Sequence, residues 1–298
     1  VSTSTESALA SVLDEGQWRQ RAREHKERAG QWIEPHLERR RRGVAHPVLD
    51  FLFDYYPYSP GRLSTWHPGL GTHLLGDWNP SSCADYYVQH NGQWTVDPER
   101  ASKKRLELAL SILEGTEFRP AQFSCFGMHE WAMVYRIDPE RIRHSQQPLR
   151  LSIEEISETV DHVGLRCTHI DAFRFFTNEA APRNSLVPTR ANQPELEQPG
   201  CLHANMDLFK YAMWFQPYLP GELVLECFAL AARVREIDMR ASPYDLSELG
   251  YQAICLETSD GRQEYASQQK QSADSARLLR RRLIEELLSL QDAITRAP

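Results

Sequence analysis

Three short passages each set a histidine beside a carboxylate: GMHEWAMVY holds His129 and Glu130, THIDAFRFF holds His169 and Asp171, and CLHANMDLFK holds His203 and Asp207. Neutral imidazole and carboxylate are the donors of zinc and iron sites, and the same groups move protons without any metal. His129, His169 and His203 are therefore candidate ligands of one divalent transition metal, zinc or iron. Glu130, Asp171 and Asp207 are candidate catalytic acids, bases or further ligands. On a helix from 203 to 214, His203 and Asp207 are four apart and share a face. On an extended 165–171 segment, His169 and Asp171 are two apart and also share one. The three histidines are then expected to line one pocket. The competing reading is a set of core helices with satisfied histidines and small buried thiols.

Cys125, Cys167 and Cys201 lie four, two and two residues before those histidines, so they share faces with them too. No CxxC pair or zinc-finger spacing occurs, which ranks structural zinc below a catalytic site. A further group is EIDMRASPYDL (236–246), with Asp238 or Asp245 as a catalytic base and Arg240 on a substrate anion. The same text also reads as a helix junction near Ser242, tied by an ion pair, with Tyr244 and Asp245 capping the next turn. Arg174, Asn205, Arg240 and Tyr244 are the candidate substrate contacts. HEWAM starts like the HExxH of zincins, but Met133 stands where the second histidine belongs. GxGxxG, GxxxxGK[ST] and GxSxG are absent, so dinucleotide folds, P-loops and α/β-hydrolases lose their usual support.

These groups must be positioned by a mainly helical chain. Helical patterns cover 17–42, ended by Gly43 and kinked or split at Pro35, then 46–56, 98–115 ending at Gly115, 122–136, 152–163, 203–216, 221–239 and 262–295. In the last helix Arg280, Arg281 and Arg282 are expected to turn mostly outward. Residues 57–79 read as a loop. Asn91-Gly92 between alternating residues marks a hairpin, and 165–170 and 251–257 are weaker strand candidates. The fold class is mainly α: a single helical domain over 1–298, with long helices near both ends and a small antiparallel β element. Tyr55, Tyr56, Tyr58, Trp66, Trp78, Tyr86, Tyr87 and Trp94 either stack on planar ligands or fill the core.

The 298 residues carry 34 Lys and Arg against 41 Asp and Glu, a net charge of −7, which argues against a general nucleic-acid coat and leaves room for a local basic groove. Six cysteines are too few for a disulfide scaffold, and VSTSTESALA has no signal-peptide pattern, so a cytoplasmic, reduced protein is expected. No apolar run approaches the roughly 20 residues of a membrane span.

HPVLDFLFDYY, WHPG, HEWAMVYR, RCTHIDAFRFFT, PGCLHANMDLFKYA and DMRASPYDL together resemble a bacterial, mainly actinobacterial family labelled 3-methyladenine DNA glycosylase, over most of the chain. The resemblance implies a DNA-repair hydrolase that cleaves the N-glycosidic bond to a modified purine. Its partner would be duplex DNA or a nucleobase-containing small molecule. Such an enzyme flips the base into an aromatic pocket, often with a carboxylate to stabilise the sugar cation or activate water. The LPGxG turn of helix-hairpin-helix glycosylases is not present, since LPGEL (219–223) keeps only the first glycine and Asp238 follows it too closely. On duplex DNA, Arg39 to Arg42 or Arg280 to Arg282 would border the pocket mouth. Two other classes fit the same residues: a metal-dependent enzyme of small-molecule metabolism, such as an oxidoreductase, and a catalytically silent helical interaction protein with buried polar networks.

Overall fold

Asp14 starts the first helix by accepting the backbone N–H of Gln17, whose side chain accepts the Asp14 N–H in return, a reciprocal cap for donors that a helix start leaves open. The structure is a computed structural model and describes residues 11–78, 83–138, 140, 142 and 146–296. Helix α1 (Glu15–Arg41) is not split at Pro35. Gln31 and Pro35 are both exposed, so the carbonyl deprived of its donor lies on the solvent side. Gly43, at φ +66°, follows its end as expected.

The helix expected over 46–56 shrinks to α2 (Phe51–Tyr55), because Asp50 is drawn into a tertiary knot. Its carboxylate accepts from the His46 backbone N–H and from Arg39, and lies 2.8 Å from His36 Nδ1. The expected loop 57–79 contains α3 (Pro60–Ser64) and β2 (Thr72–Leu74). The hairpin forms as expected, β3 (Tyr87–His90) against β4 (Gln93–Val96), with Asn91 at φ 50° and Gly92 at φ 78°. The sheet is mixed rather than purely antiparallel: β1 (Ser11–Leu13) lies parallel to β2, giving the order β1-β2-β4-β3.

Helix α4 (Lys103–Phe118) runs past Gly115 instead of ending there. The helix expected over 122–136 reduces to α5 (His129–Ala132), since Phe126 at φ 44° and Gly127 at φ 63° are left-handed and cannot continue it. A Ser152–Glu155 capping box starts α6 (Ile153–Val163), as the pattern predicts. The expected strand 165–170 keeps one bridge, Leu165 to Asn184, and gives way to α7 (Ile170–Phe173). After α8 (Gln193–Leu196) come α9 (Leu202–Trp214), α10 (Gly221–Arg240) and α11 (Ser259–Arg296). No strand forms over 251–257: the Ile254 N–H donates to the Arg240 carbonyl and the Arg240 side chain to the Gln252 carbonyl, so a helix end meets these groups.

Helix α9 is the axis of the fold. It packs chiefly on α10 and is crossed by α11, with α4 on a further side, and eleven of its thirteen residues are buried. Helix α11 supplies Tyr265, Ala276, Leu283, Leu287 and Leu290 to this core. Arg280 also faces inward, against expectation, donating to Asn205 Oδ1 at 2.6 Å and to Glu117 at 3.3 Å. Among the described residues no helix is long and apolar enough to cross a membrane.

Gly115 offers a sharp test of this packing. A Cβ there would stand 2.6 Å from the Pro194 carbonyl oxygen in α8. In an isolated helix Gly→Ala stabilises by about 1 kcal/mol. Here Gly115→Ala is expected to destabilise by roughly 1–3 kcal/mol, as overpacking does, and a rise in urea midpoint would refute the close approach.

Candidate active site

The three histidines meet although they come from unlike elements. His129 opens α5, His169 precedes α7, and His203 sits in the first turn of α9. The His129 and His203 rings stand 4.3 Å apart at nearly a right angle, and the His203 and His169 rings 5.4 Å apart. Around this row lie two groups of charge, each buried.

The first group is His129, His203 and Asp238, whose ligand-type atoms lie within 4.8 Å of one another. Arg235, three residues before Asp238 on α10, donates to Asp238 Oδ2 at 2.7 Å and to Glu130 Oε1 at 2.8 Å, so one fully buried guanidinium aims both carboxylates. The other Asp238 oxygen lies 2.8 Å from His129 Nε2, yet the pair lacks hydrogen-bond geometry and neither atom has another partner. Glu130 Oε2 is likewise unpartnered. Burial lowers the His129 imidazole's affinity for a proton, but the Asp238 charge outweighs it and holds the pKa above its ordinary value. Burial, with His129 and His169 beside it, pushes His203 well down, so it is neutral and able to act as a ligand. Burial would raise Asp238, but His129 and Arg235 hold it below the usual carboxylate range.

The second group is His169, Glu197 and Asp207, also with ligand-type atoms within 4.8 Å of one another. His169 Nε2 lies 3.1 Å from Glu197 and 3.2 Å from Asp207. Lys210, one turn along α9, forms an ion pair with the same Asp207 oxygen, Tyr56 donates to the other at 2.8 Å, and Gln193 donates to Glu197 at 2.6 Å. Against the upward push of burial, Lys210 and then His169 hold Asp207 low, while Glu197 and Asp207 lift His169 to about 9 against the downward push of burial. Lys210 already stands where a cation would neutralise Asp207. His169, expected as a metal ligand, sits in an ion-pair network whose donor atoms are also spaced as a metal site's would be. Asp171 belongs to its rim, paired with Arg190 and, at 3.3 Å, with Arg174.

Several expected contacts lie elsewhere. Asn205 uses its oxygen on Arg280 and its amide on the Pro199 carbonyl, so both ends are structural. Arg240 braces the 251–257 segment and faces Glu264 at 3.5 Å. Tyr244 is buried beside Leu149, and half-buried Asp245 accepts the Ser247 N–H, which is the helix-junction alternative. Trp66, Trp78 and Tyr87 pack on one another in the core. Arg235 and Lys210 were legible in principle, each three residues from a carboxylate on a strongly patterned helix, whereas nothing local marks Glu197 or Arg190.

Cys125, Cys167, Cys201, His129, His203 and Tyr265 line a chamber of about 20 Å³ beside the first group. That is room for about one water. Burial pushes all three thiols up, Cys167 to about 12, so they are neutral. No protein-family model, curated protein or solved structure matches the chain.

The second group makes stability depend on pH. The His169 pKa rises from its ordinary 6.5 to about 9 on folding, so its contribution is complete below pH 6.5 and fades as pH climbs to 9. At 1.36 kcal/mol per unit this amounts to about 3 kcal/mol. Denaturant titrations at both ends of that window should show the wild type losing stability of at least this order, since His129 is raised too, and His169→Gln should lose less by about this amount. Parallel pH profiles for the two proteins would refute the assignment.

Proposed function

We propose that the chain is a metal-dependent enzyme acting on a small molecule, with His129, His203 and Asp238 as the ligands of one zinc or iron ion. The observation that carries this reading is the 2.8 Å approach of His129 Nε2 and Asp238 Oδ1 without hydrogen-bond geometry, in a buried place where neither has another partner. Ligand atoms bound to one ion at about 2 Å stand about 3–4 Å apart, which this donor set can meet with small shifts. Two imidazoles and a carboxylate suit zinc or ferrous iron, and such an ion supplies Lewis acidity or an activated water.

The chain's own residues supply the rest. Arg235 fixes the Asp238 carboxylate through the oxygen not offered to the ion, as an outer partner does. Glu130 is held by the same guanidinium with one oxygen unpartnered, which suits it to move a proton. Neutral His203 offers its lone pair without first losing a proton. The water-sized chamber reaches both histidines. Removal of a purine from duplex DNA gains less support, because that chamber does not hold a base and Arg39 and Arg280 are tied into ion pairs with Asp50 and Glu117. Six free thiols suit a reducing, cytoplasmic setting.

Metal analysis of the purified chain should find about one equivalent of zinc or iron, removable by chelation. Asp238→Asn, which keeps the volume and loses the charge, should weaken metal binding beyond the roughly 10–100-fold typical of an outer partner. His169→Gln should leave metal content unchanged. A chain with no transition metal, and no thermal stabilisation when zinc or ferrous iron is added, would overturn the reading.

A further inference from the structure

A cleft of about 540 Å³ opens where the 45–55 segment faces the end of α7 and residues 146–147, within the roughly 300–1,000 Å³ of small-molecule sites. Phe51, Tyr55 and Phe175 line it. The Phe51 and Tyr55 rings stack 5.0 Å apart and within 11° of parallel, and the buried Arg235 guanidinium lies 3.8 Å over Phe51. Cation and two rings thus link Glu130 and Asp238 to the cleft wall, where the half-buried Tyr55 ring, packed edge-on by Tyr56, is the aromatic element for a further ring.

Arg174 supplies the polar element. It is exposed, lies 4.4 Å over the Phe175 ring, and meets Asp171 most closely through Nε at 3.3 Å. Held between Asp171 and the Tyr55 hydroxyl, the exposed planar guanidinium stands at the cleft beside the aromatic wall, in the fork geometry that matches a carboxylate or phosphate. Asp171 is itself shared with Arg190 and Lys210, so it does not neutralise Arg174 alone. Asp54, exposed at the cleft, is the opposing charge.

We propose that this cleft binds a planar aromatic anion, its ring on the Tyr55–Phe51 stack and its carboxylate or phosphate on Arg174. The site is separate from the histidine row and does not require the metal. Four probes of one shape test it by calorimetry, on protein with and without prior chelation: 2-naphthoate, 2-naphthyl phosphate, uncharged 2-naphthamide and saturated decahydro-2-naphthoate. At least one aromatic anion should bind ten-fold or more tightly than the amide and the saturated acid, and whichever of the two is tighter names the anionic group. Arg174→Gln should weaken it at least ten-fold, Tyr55→Leu should erase the preference for a flat ring, and Asp54→Asn, which removes a like charge, should tighten binding a few-fold. Melting curves check that each variant folds. No binding at millimolar concentration, equal binding of the amide or the saturated acid, or unchanged affinity in Arg174→Gln would overturn the proposal. Equal results before and after chelation are expected, so failure of the metal reading would leave this one standing.

Discussion

Helix α9 is buried on nearly every side and still carries a histidine, an asparagine and an aspartate in its first two turns. Polar groups in such a position cannot rely on water, so the neighbouring elements must answer each of them. Arg280 of α11 meets Asn205, His169 and Lys210 meet Asp207, and His203 meets the His129 ring. The inward turn of Arg280 and the convergence of α5, α7 and α8 on one end of α9 follow from that requirement. Of the short helices, α5 also anchors itself in the core through fully buried Trp131, while α7 and α8 bury mainly the polar groups they deliver, Asp171 and Gln193.

Stability alone is a weak explanation for this arrangement. Glu130, Asp171, Glu197, Asp207 and Asp238 are all buried, with Arg235 and the three histidines among them. Replacing a buried ion pair by well-packed apolar residues is often neutral or stabilising, while removing one partner costs about 3–5 kcal/mol. The two groups also differ in kind. Around Asp207 every charge has a protein partner of opposite sign. Around Asp238 the ion pairs with Arg235 and His129 leave one imidazole nitrogen and two carboxylate oxygens without hydrogen bonds, whereas both Asp207 oxygens are bonded and His169 Nδ1 is left over. That unevenness is the observation on which the proposed metal site rests.

Arg235 joins the interior to the surface. Its guanidinium holds Glu130 and Asp238 and covers the Phe51 ring that walls the outer cleft. Such a hub is stiff, since the planar fork is engaged by two carboxylates and a ring at once. The segment from Asp171 to Phe176 works similarly, placing Asp171 by Lys210, Arg174 and Phe175 in the cleft and Phe176 against the inner chamber. Two spaces of different size and polarity are thereby kept distinct within a short distance along the chain.

Periodicity alone determined the helical class, the long helices near both ends, α6, α9 and α10 within a few residues, and the Asn91-Gly92 hairpin, because each depends on local hydrogen bonds, caps and an apolar stripe written in consecutive residues. The same text marked His129, His169 and His203, since a histidine beside a carboxylate is also a local pattern, and it marked Asp238 only as a charged residue following an apolar helix. Tertiary structure decided the rest. It cut the expected helix over 122–136 to one turn at left-handed Phe126 and Gly127, carried α4 past Gly115, and turned the 165–171 segment into a helix start. It separated His169 from the pair that faces Asp238, and it brought in Glu197 and Arg190, which no spacing announces. It also engaged Asn205 with Arg280, Arg240 with the 251–257 segment and Tyr244 with Leu149, away from the group around Asp238. A buried charge is matched by whichever oppositely charged group the packing brings within about 3 Å, and that partner lies tens to hundreds of residues away as often as one helical turn.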